Sequence, residues 1–288
     1  MLAKLTKVTF GDVFVTAVVI AVSIVMIVPF LYLVSLSFTD PRVYVPFKVV
    51  FIPRKISLDA YKFVLSSGDF ISALKSTVII TVLGTCLNLV VTFCFAYSIS
   101  KKYLPFRTFF MLLVVFELLF DVGIIPRYML VKNLGLMNTY WSCILPVMTN
   151  AWSVIVAKTF LESIPEELEE SSRIDGCSQI GTFFRIILPL STASIATLAL
   201  FFAVGHWNVY LKPLMYLSDP KMRTLQVYLK SLLIDNALYG AGIMEDVIIP
   251  SETMRMCAIM LAMLPILAVY PFVQRYFMKG VMVGSIKG

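Results

Sequence analysis

Five glutamates, Glu162, Glu166, Glu167, Glu169 and Glu170, crowd into one short stretch of a chain in which only 14% of residues are charged. Carboxylates at that density either invite a basic partner or form a solvated helix face. No histidine stands near them, and the five cysteines of the chain show neither metal nor redox spacing. His206 is the only histidine, so neither a zinc cluster nor a Ser-His-Asp constellation can be assembled within this chain. Its place in GHWN fits packing or hydrogen bonding better than ligand contact. No Gly-x4-Gly-Lys-Ser/Thr loop is present, so any nucleotide hydrolysis belongs to another chain. The expectation is a protein with no catalytic residues, no metal and no cofactor of its own.

The glutamates sit in a stretch with helix signals at both ends. Ser163 followed by Pro165 and Glu166 reads as a helix start, with serine as N-cap and glutamate closing a capping box. Acidic residues then favour the positive end of the helix dipole. Gly176 supplies the stop, Ser178 can cap a second short helix through Phe183, Phe184, Ile186 and Leu188, and Pro189 opens the next span. Two short helices joined by a glycine elbow cannot lie in hydrocarbon, and their carboxylates invite a basic partner.

Two further acids lie in apolar surroundings. Glu117 and Asp121 are four residues apart, on one face if the segment is helical, with Glu117 near mid-membrane. Ionisable groups at that depth are functional candidates by default. They could accept hydrogen bonds from the hydroxyls of a passing solute, with Arg127 as counter-charge near an outer mouth; pairing with polar groups of a partner subunit is the equal alternative. Tyr128, Trp207, Asn208 and Tyr210 offer aromatic faces and an amide suited to a ligand with an apolar face and hydroxyls. Tryptophan and tyrosine also serve as interfacial anchors, and Trp141 and Trp152 share that ambiguity.

The elements that must position these residues are membrane spans. The 288-residue chain is 59% hydrophobic, which excludes an ordinary soluble domain. Residues 13–35 and 76–98 are uncharged runs long enough to cross, and 108–131, 139–160, 190–215 and 253–272 keep the length while carrying a polar residue or a proline. The expected architecture is an all-α membrane protein of six transmembrane helices, as one domain over residues 1–288, with the glutamate-rich loop at 161–189. Pro213 and Pro265 are expected to kink their helices. Ser57 is expected to cap a short amphipathic helix in the 36–75 connection. The net charge of +7 is spread over loops on both sides and includes no nucleic-acid platform. Basic residues Lys4, Lys7, Lys101, Lys102, Arg107, Arg275, Lys279 and Lys287 favour a cytoplasmic location for both termini, against Arg42, Lys48, Arg54, Lys55, Arg223 and Lys230 outside.

Glu170-Ser171-Ser172, three residues, Gly176, nine residues, then Ile186-x-Leu188-Pro189 closely resembles the E-A-A-x3-G-x9-I-x-L-P loop of the membrane subunits of bacterial ABC importers. Serines replace both alanines. The segments IPRYMLVKNLGLMNTYWSCILP and ATLALFFAVGHWNVYLKPLMYLSD are similar to the carbohydrate-uptake branch, the maltose-permease type. Within it the likeness is nearest to the subgroup taking up oligosaccharides or polysaccharide fragments, including the alginate importer.

The resemblance implies the type I importer permease fold and half of a translocation pathway. It implies a second homologous permease subunit, as a heterodimer, and two ATPase subunits that bind ATP and magnesium. It also implies an extracytoplasmic solute-binding protein and a glycan substrate, in the bacterial cytoplasmic membrane. Loop 161–189 becomes the cytoplasmic coupling segment, with Glu169, Glu170, Ser171, Ser172, Asp175, Gly176, Ile186, Leu188 and Pro189 as its coupling residues. Basic outer-loop residues would suit an anionic glycan such as a polyuronate; Glu117 and Asp121 argue the other way. A permease for another solute and a stand-alone secondary carrier are the rival readings.

Overall fold

The computed structural model describes residues 10–45, 51–53, 55–240 and 252–285. Arg54, Lys48 and the terminal lysines Lys4, Lys7 and Lys287 lie outside these. Among the described residues every regular element is helical, and the single β contact is an isolated bridge between Thr39 and Ile56. The chain forms two compact units, each described by itself.

One unit holds the described residues before Gly68 together with those from Ser231 to Met263. Helix α1, Phe10–Ser37, exposes its apolar side chains from Gly11 to Leu31, as a helix bathed in lipid must. The turn after it is closed locally. Asp40 is buried against Lys55 at 2.8 Å, and the Asp40 amide donates to the Lys55 carbonyl at 3.0 Å. Helix α2, Asp59–Ser66, starts with the Ser57 hydroxyl accepting from the Asp59 amide at 3.0 Å, one residue ahead of the helix's own cap position.

The second unit is built on α3, Gly68–Ser100, an uninterrupted helix of 33 residues. Along one face it carries Ile80, Gly84, Asn88, Thr92, Phe93 and Ala96, all buried. Small residues let neighbours approach closely where lipid supplies no hydrophobic drive between helices. Gly84 makes room for the His206 ring: a Cβ there would lie 2.5 Å from its Nε2. Asn88 answers the same ring at 3.2 Å and donates to the Val147 carbonyl at 2.9 Å. His206 is thus a packing and hydrogen-bonding residue.

Three expected spans are bent rather than straight. Residues 108–131 divide into α4, Arg107–Leu119, and α5, Ile124–Asn133, at 117°. Gly123 takes φ +77 at the break, a conformation glycine reaches without strain. Residues 139–160 divide into α6, Trp141–Ile144, continued by a 3₁₀ turn to Val147, and α7, Ala151–Glu162, at 53°. Pro146 lacks the amide a continuous helix would use. Residues 190–215 correct most: the helix there, α11, runs only from Thr192 to Trp207. It is bent by 79° from the preceding segment and stops at Asn208.

Preceding α11 come α8, Glu167–Ile174, α9, Gln179–Thr182, a π turn Phe183–Ile187 and α10, Leu188–Leu190. After it, α12, Leu211–Tyr216, begins afresh, and Pro213 sits in its first turn, where proline is tolerated, instead of kinking a long helix. Helices α13, Leu225–Gly240, and α14, Glu252–Ser285, complete the chain, with Pro265 and Pro271 inside α14. Among the described residues, three helical segments are long and apolar enough to cross a membrane alone, and six segments qualify when each bent pair counts as one.

Candidate functional site: a two-faced acidic helix and a cavity at the helix breaks

Ser163 does not cap the acidic helix. Its hydroxyl donates to the Phe160 carbonyl at 2.7 Å, and it closes the C-terminus of α7 instead. The acidic helix α8 starts three residues later behind Glu166, without a side-chain cap, so no capping box forms. Serine bonds backward here because α7 already ends on it; the local motif is the same in either role.

The C-terminal end of α8 matches the sequence closely. Gly176 takes φ +81, the Cys177 amide donates to the Ser172 carbonyl at 2.9 Å, and the Gly176 amide donates to that of Arg173 at 3.0 Å. That is the Schellman arrangement, which needs the left-handed residue just past the helix. Ser178 then caps α9 by accepting from the Gly181 amide at 3.1 Å.

Helix α8 has two faces. Glu167, Glu170, Ser171, Ile174 and Asp175 are exposed, whereas Glu169 and Ser172 are buried. Ser172 packs its hydroxyl against that of Thr182 at 2.7 Å and donates to the Glu169 carbonyl at 2.9 Å. The serine that replaces alanine is therefore satisfied and ties α8 to α9. Beyond the elbow, Ile180, Phe184 and Pro189 are exposed, Ile186 and Leu188 half-buried, and Phe183 and Ile187 buried against Phe93, Ala157 and Phe202. The segment is anchored on one side and leaves carboxylates and large apolar side chains bare on the other.

The anchoring residues were visible in the sequence only as loop charge. Lys101 pairs with Glu169, Lys102 with Glu166 at 2.9 Å, and Arg107 with Glu162 at 2.7 Å, where Lys158 joins from one turn earlier in α7. Arg173 donates to the Tyr103 hydroxyl at 3.2 Å, and Gln179 does so at 3.1 Å. Lys102 beside Glu166 holds that carboxyl below the usual carboxylate range, and Glu166 raises Lys102 in turn. The pairs differ in weight. The Lys102 and Glu166 side chains are 79% and 71% exposed, where solvent and salt screen an ion pair to little net value. Lys101 and Glu169 are 16% and 11% exposed, where removing one partner costs about 3–5 kcal/mol.

A second feature lies at the helix breaks. Helices α4 and α7 have 13 and 12 residues, about 18–20 Å, so both break beyond the middle of a ~30 Å hydrocarbon layer measured from the side of the 161–189 segment. A cavity of about 410 Å³ opens there, lined by Glu117, Asp121, Arg127, Asn150 and Trp152 among others. Irregular backbone at that depth is tolerated where it lines such a space. The two acids converge on the cavity, although Asp121 lies past the end of α4 and not on its face. Glu117 accepts from the Ala151 amide at 2.6 Å, and Asn150 accepts from that of Ser153 at 2.9 Å, so both cap the start of α7. Asp121 accepts from Arg127 at 2.8 Å and from the Gly123 amide at 3.1 Å, bracing the break it sits in.

The remaining expected pathway residues are elsewhere. Tyr128 stacks on Tyr216 with ring centres 6.1 Å apart. Asn208 spends its amide on the Val204 carbonyl at 2.9 Å, Tyr210 is half-buried, and Trp207 is buried with its indole N–H unpaired within the protein. None of the four lines the cavity.

Similarity to known proteins covers both features. Residues 10–283 match the family described as binding-protein-dependent transport system inner membrane component. The chain is 42% identical to Protein LplC of Bacillus subtilis (strain 168) over 269 residues, 93% of this chain and 91% of that one. It is 39% identical to the polygalacturonan/rhamnogalacturonan transport system permease protein YtcP of the same organism over 273 residues, 92% of this chain and 94% of the relative. Among solved structures, a bacterial ABC transporter involved in the import of the acidic polysaccharide alginate matches with a TM-score of 0.85. The identity there is 28%, covering 94% of this chain and 99% of the other. The helical architecture is accordingly the type I importer permease fold, and the chain is a transport subunit rather than an enzyme. It belongs to the family of inner membrane components of binding-protein-dependent transport systems.

Proposed function

We propose that this chain forms half of the translocation pathway of an ATP-driven importer for an acidic oligosaccharide or polysaccharide fragment. A second permease subunit supplies the other half. ATP and magnesium are held by ATPase subunits, and a binding protein presents the glycan from outside. The observation that carries the coupling half of this reading is the two-faced α8. Its inner face is fastened to the bundle, while Glu170, Ile174, Ile180 and Phe184 stand exposed. Such a surface fits a cleft with a basic residue for Glu170 and apolar walls for the isoleucines. Both termini then lie on the cytoplasmic side with the coupling segment.

Alternating access follows from linkage. ATP binding favours one arrangement of the ATPase pair, and the permease conformation that docks best on it becomes populated in proportion to the difference in affinity. Support for a glycan comes from the names of the relatives, two of which concern acidic polysaccharides. The cavity agrees in its chemistry: an arginine, an asparagine and a tryptophan at one space suit carboxylates, hydroxyls and the apolar face of a sugar ring. Asp121 does not repel an anionic sugar as a bare charge would, because Arg127 is paired with it.

The test is uptake by the reconstituted complex, with its ATPase and binding protein, of a labelled oligouronate against a neutral oligosaccharide of equal length. ATP-dependent uptake of the oligouronate alone supports the reading. Preference for the neutral sugar would refute its acidic part, and uptake independent of ATP would refute coupling.

A further inference from the structure

Glu169 was expected to meet the ATPase, yet it points the other way. It is the buried member of the acidic cluster, next in sequence to the exposed Glu170. Its partner Lys101 directly follows Ser100, the last residue of α3. The lysine also lies over the Tyr97 ring, 4.4 Å from its centre, and the Tyr97 hydroxyl reaches the second Glu169 oxygen at 3.5 Å. Arg173, one turn on in α8, approaches that oxygen at 3.9 Å.

The position of this pair has a mechanical consequence. Covalently, α8 joins the bundle only through the turn at 163–166 and the elbow at Gly176, and turns bend. The ion pair instead bridges from the first turn of α8 to the end of α3, which packs along both α7 and α11. With both side chains nearly buried, separating the charges is costly, so the two helix ends move together. The exposed Lys102–Glu166 pair is too weak to do the same.

We propose that the Lys101–Glu169 pair is the link that passes displacement of α8 into α3, so that both are positioning residues and Glu169 makes no contact with the ATPase. This rests on the reading of α8 and α9 as the ATPase docking segment. In the reconstituted complex, Glu169→Gln and Lys101→Met should each retain the ATPase subunits and raise the ATP hydrolysed per sugar imported about tenfold, within the usual range of coupling energies. The double variant should be no worse than the worse single, since both remove one interaction. Lys101→Arg, which keeps the charge, should hold the wild-type ratio and guards against misfolding of the methionine variant. The proposal is overturned by an unchanged ratio in both single variants, by effects that multiply in the double, by loss of coupling in Lys101→Arg, or by ATPase release in Glu169→Gln alone. Glu170→Lys, run alongside, separates the readings: wild-type transport there sinks the docking segment itself, whereas an unchanged ratio in the Lys101 and Glu169 variants beside lost transport in Glu170→Lys sinks only the link.

Discussion

Replacing Gly176 by valine, alanine and asparagine isolates backbone conformation from space at the elbow. The residue sits at φ +81, and a Cβ built there meets nothing within 4 Å. Steric collision with the rest of the chain therefore contributes nothing, and the whole cost is the left-handed backbone. For an L-residue that is about 1–2 kcal/mol, with valine at the upper end because branching at Cβ crowds the carbonyl further. About 2 kcal/mol shifts the elbow population roughly thirtyfold, since ~1.4 kcal/mol is a factor of ten. The valine chain should relieve the strain by breaking the bonds from Gly176 and Cys177 to Arg173 and Ser172, which frees α9 to rotate against α8. Asparagine tolerates the same conformation and should transport nearly as wild type. Transport by the reconstituted complex, with ATPase co-purification as a second readout, should rank glycine, asparagine, alanine, valine. If asparagine is as damaging as valine, the elbow is needed for close approach of a partner and the conformational argument is wrong.

Glu117→Ala should lower the stability of the complex by about 1–3 kcal/mol in thermal denaturation, because the Ala151 amide loses its acceptor. Glu117→Gln keeps an acceptor and should assemble; abolished uptake in that assembled variant would make Glu117 a sugar contact rather than a cap. Gly84→Ala should cost about 1–3 kcal/mol by overpacking the His206 ring, and His206→Ala in the same chain should recover part of it; no recovery would mean that the ring is not what the new methyl meets. Cys177, half-buried in the elbow, should react with an impermeant thiol reagent only from the cytoplasmic side and be shielded once the ATPase docks; labelling from outside would invert the topology. The contribution of Glu166, whose carboxyl is held low by Lys102, should be present above its ordinary value of 4.5 and be lost only as pH falls through the lowered value. Protease sensitivity of the 161–189 loop should therefore be flat near neutrality and rise only in acid, and a change between pH 6 and 8 would assign the loop's stability to another group.

The 161–189 segment was legible because its signals are local. A glycine that must take positive φ, a serine one residue before a helix and a proline that interrupts one act within a few residues of themselves, so spacing alone located the elbow and the second cap. The capping box failed for a reason of the same kind. Ser163 satisfies the end of α7 as readily as the start of α8, and which helix claims it depends on where α7 stops. The bent spans were missed because hydropathy is summed over a window. Residues 120–123 and 148–150 lower that sum little, yet Gly123 and Pro146 remove the backbone continuity on which a straight helix depends.

What the sequence hid entirely was partnership across distance. Lys101, Lys102 and Arg107 weighed in only as evidence of sidedness, while the glutamates that neutralise them stood some sixty residues away in a segment read for an external partner. Charge complementarity between two loops on one side of a membrane is a signal that pattern reading can use once both loops are assigned to that side. It divides the acidic cluster in two: Glu162, Glu166 and Glu169 are spent within the chain, and Glu167 and Glu170 stand exposed. The same division applies at the cavity, where Glu117 and Asp121 hold the helix breaks and Asn150 spends its carbonyl on the cap of α7. A carboxylate in a membrane is retained either because a substrate uses it or because a broken helix does, and the broken helices of this chain claim both.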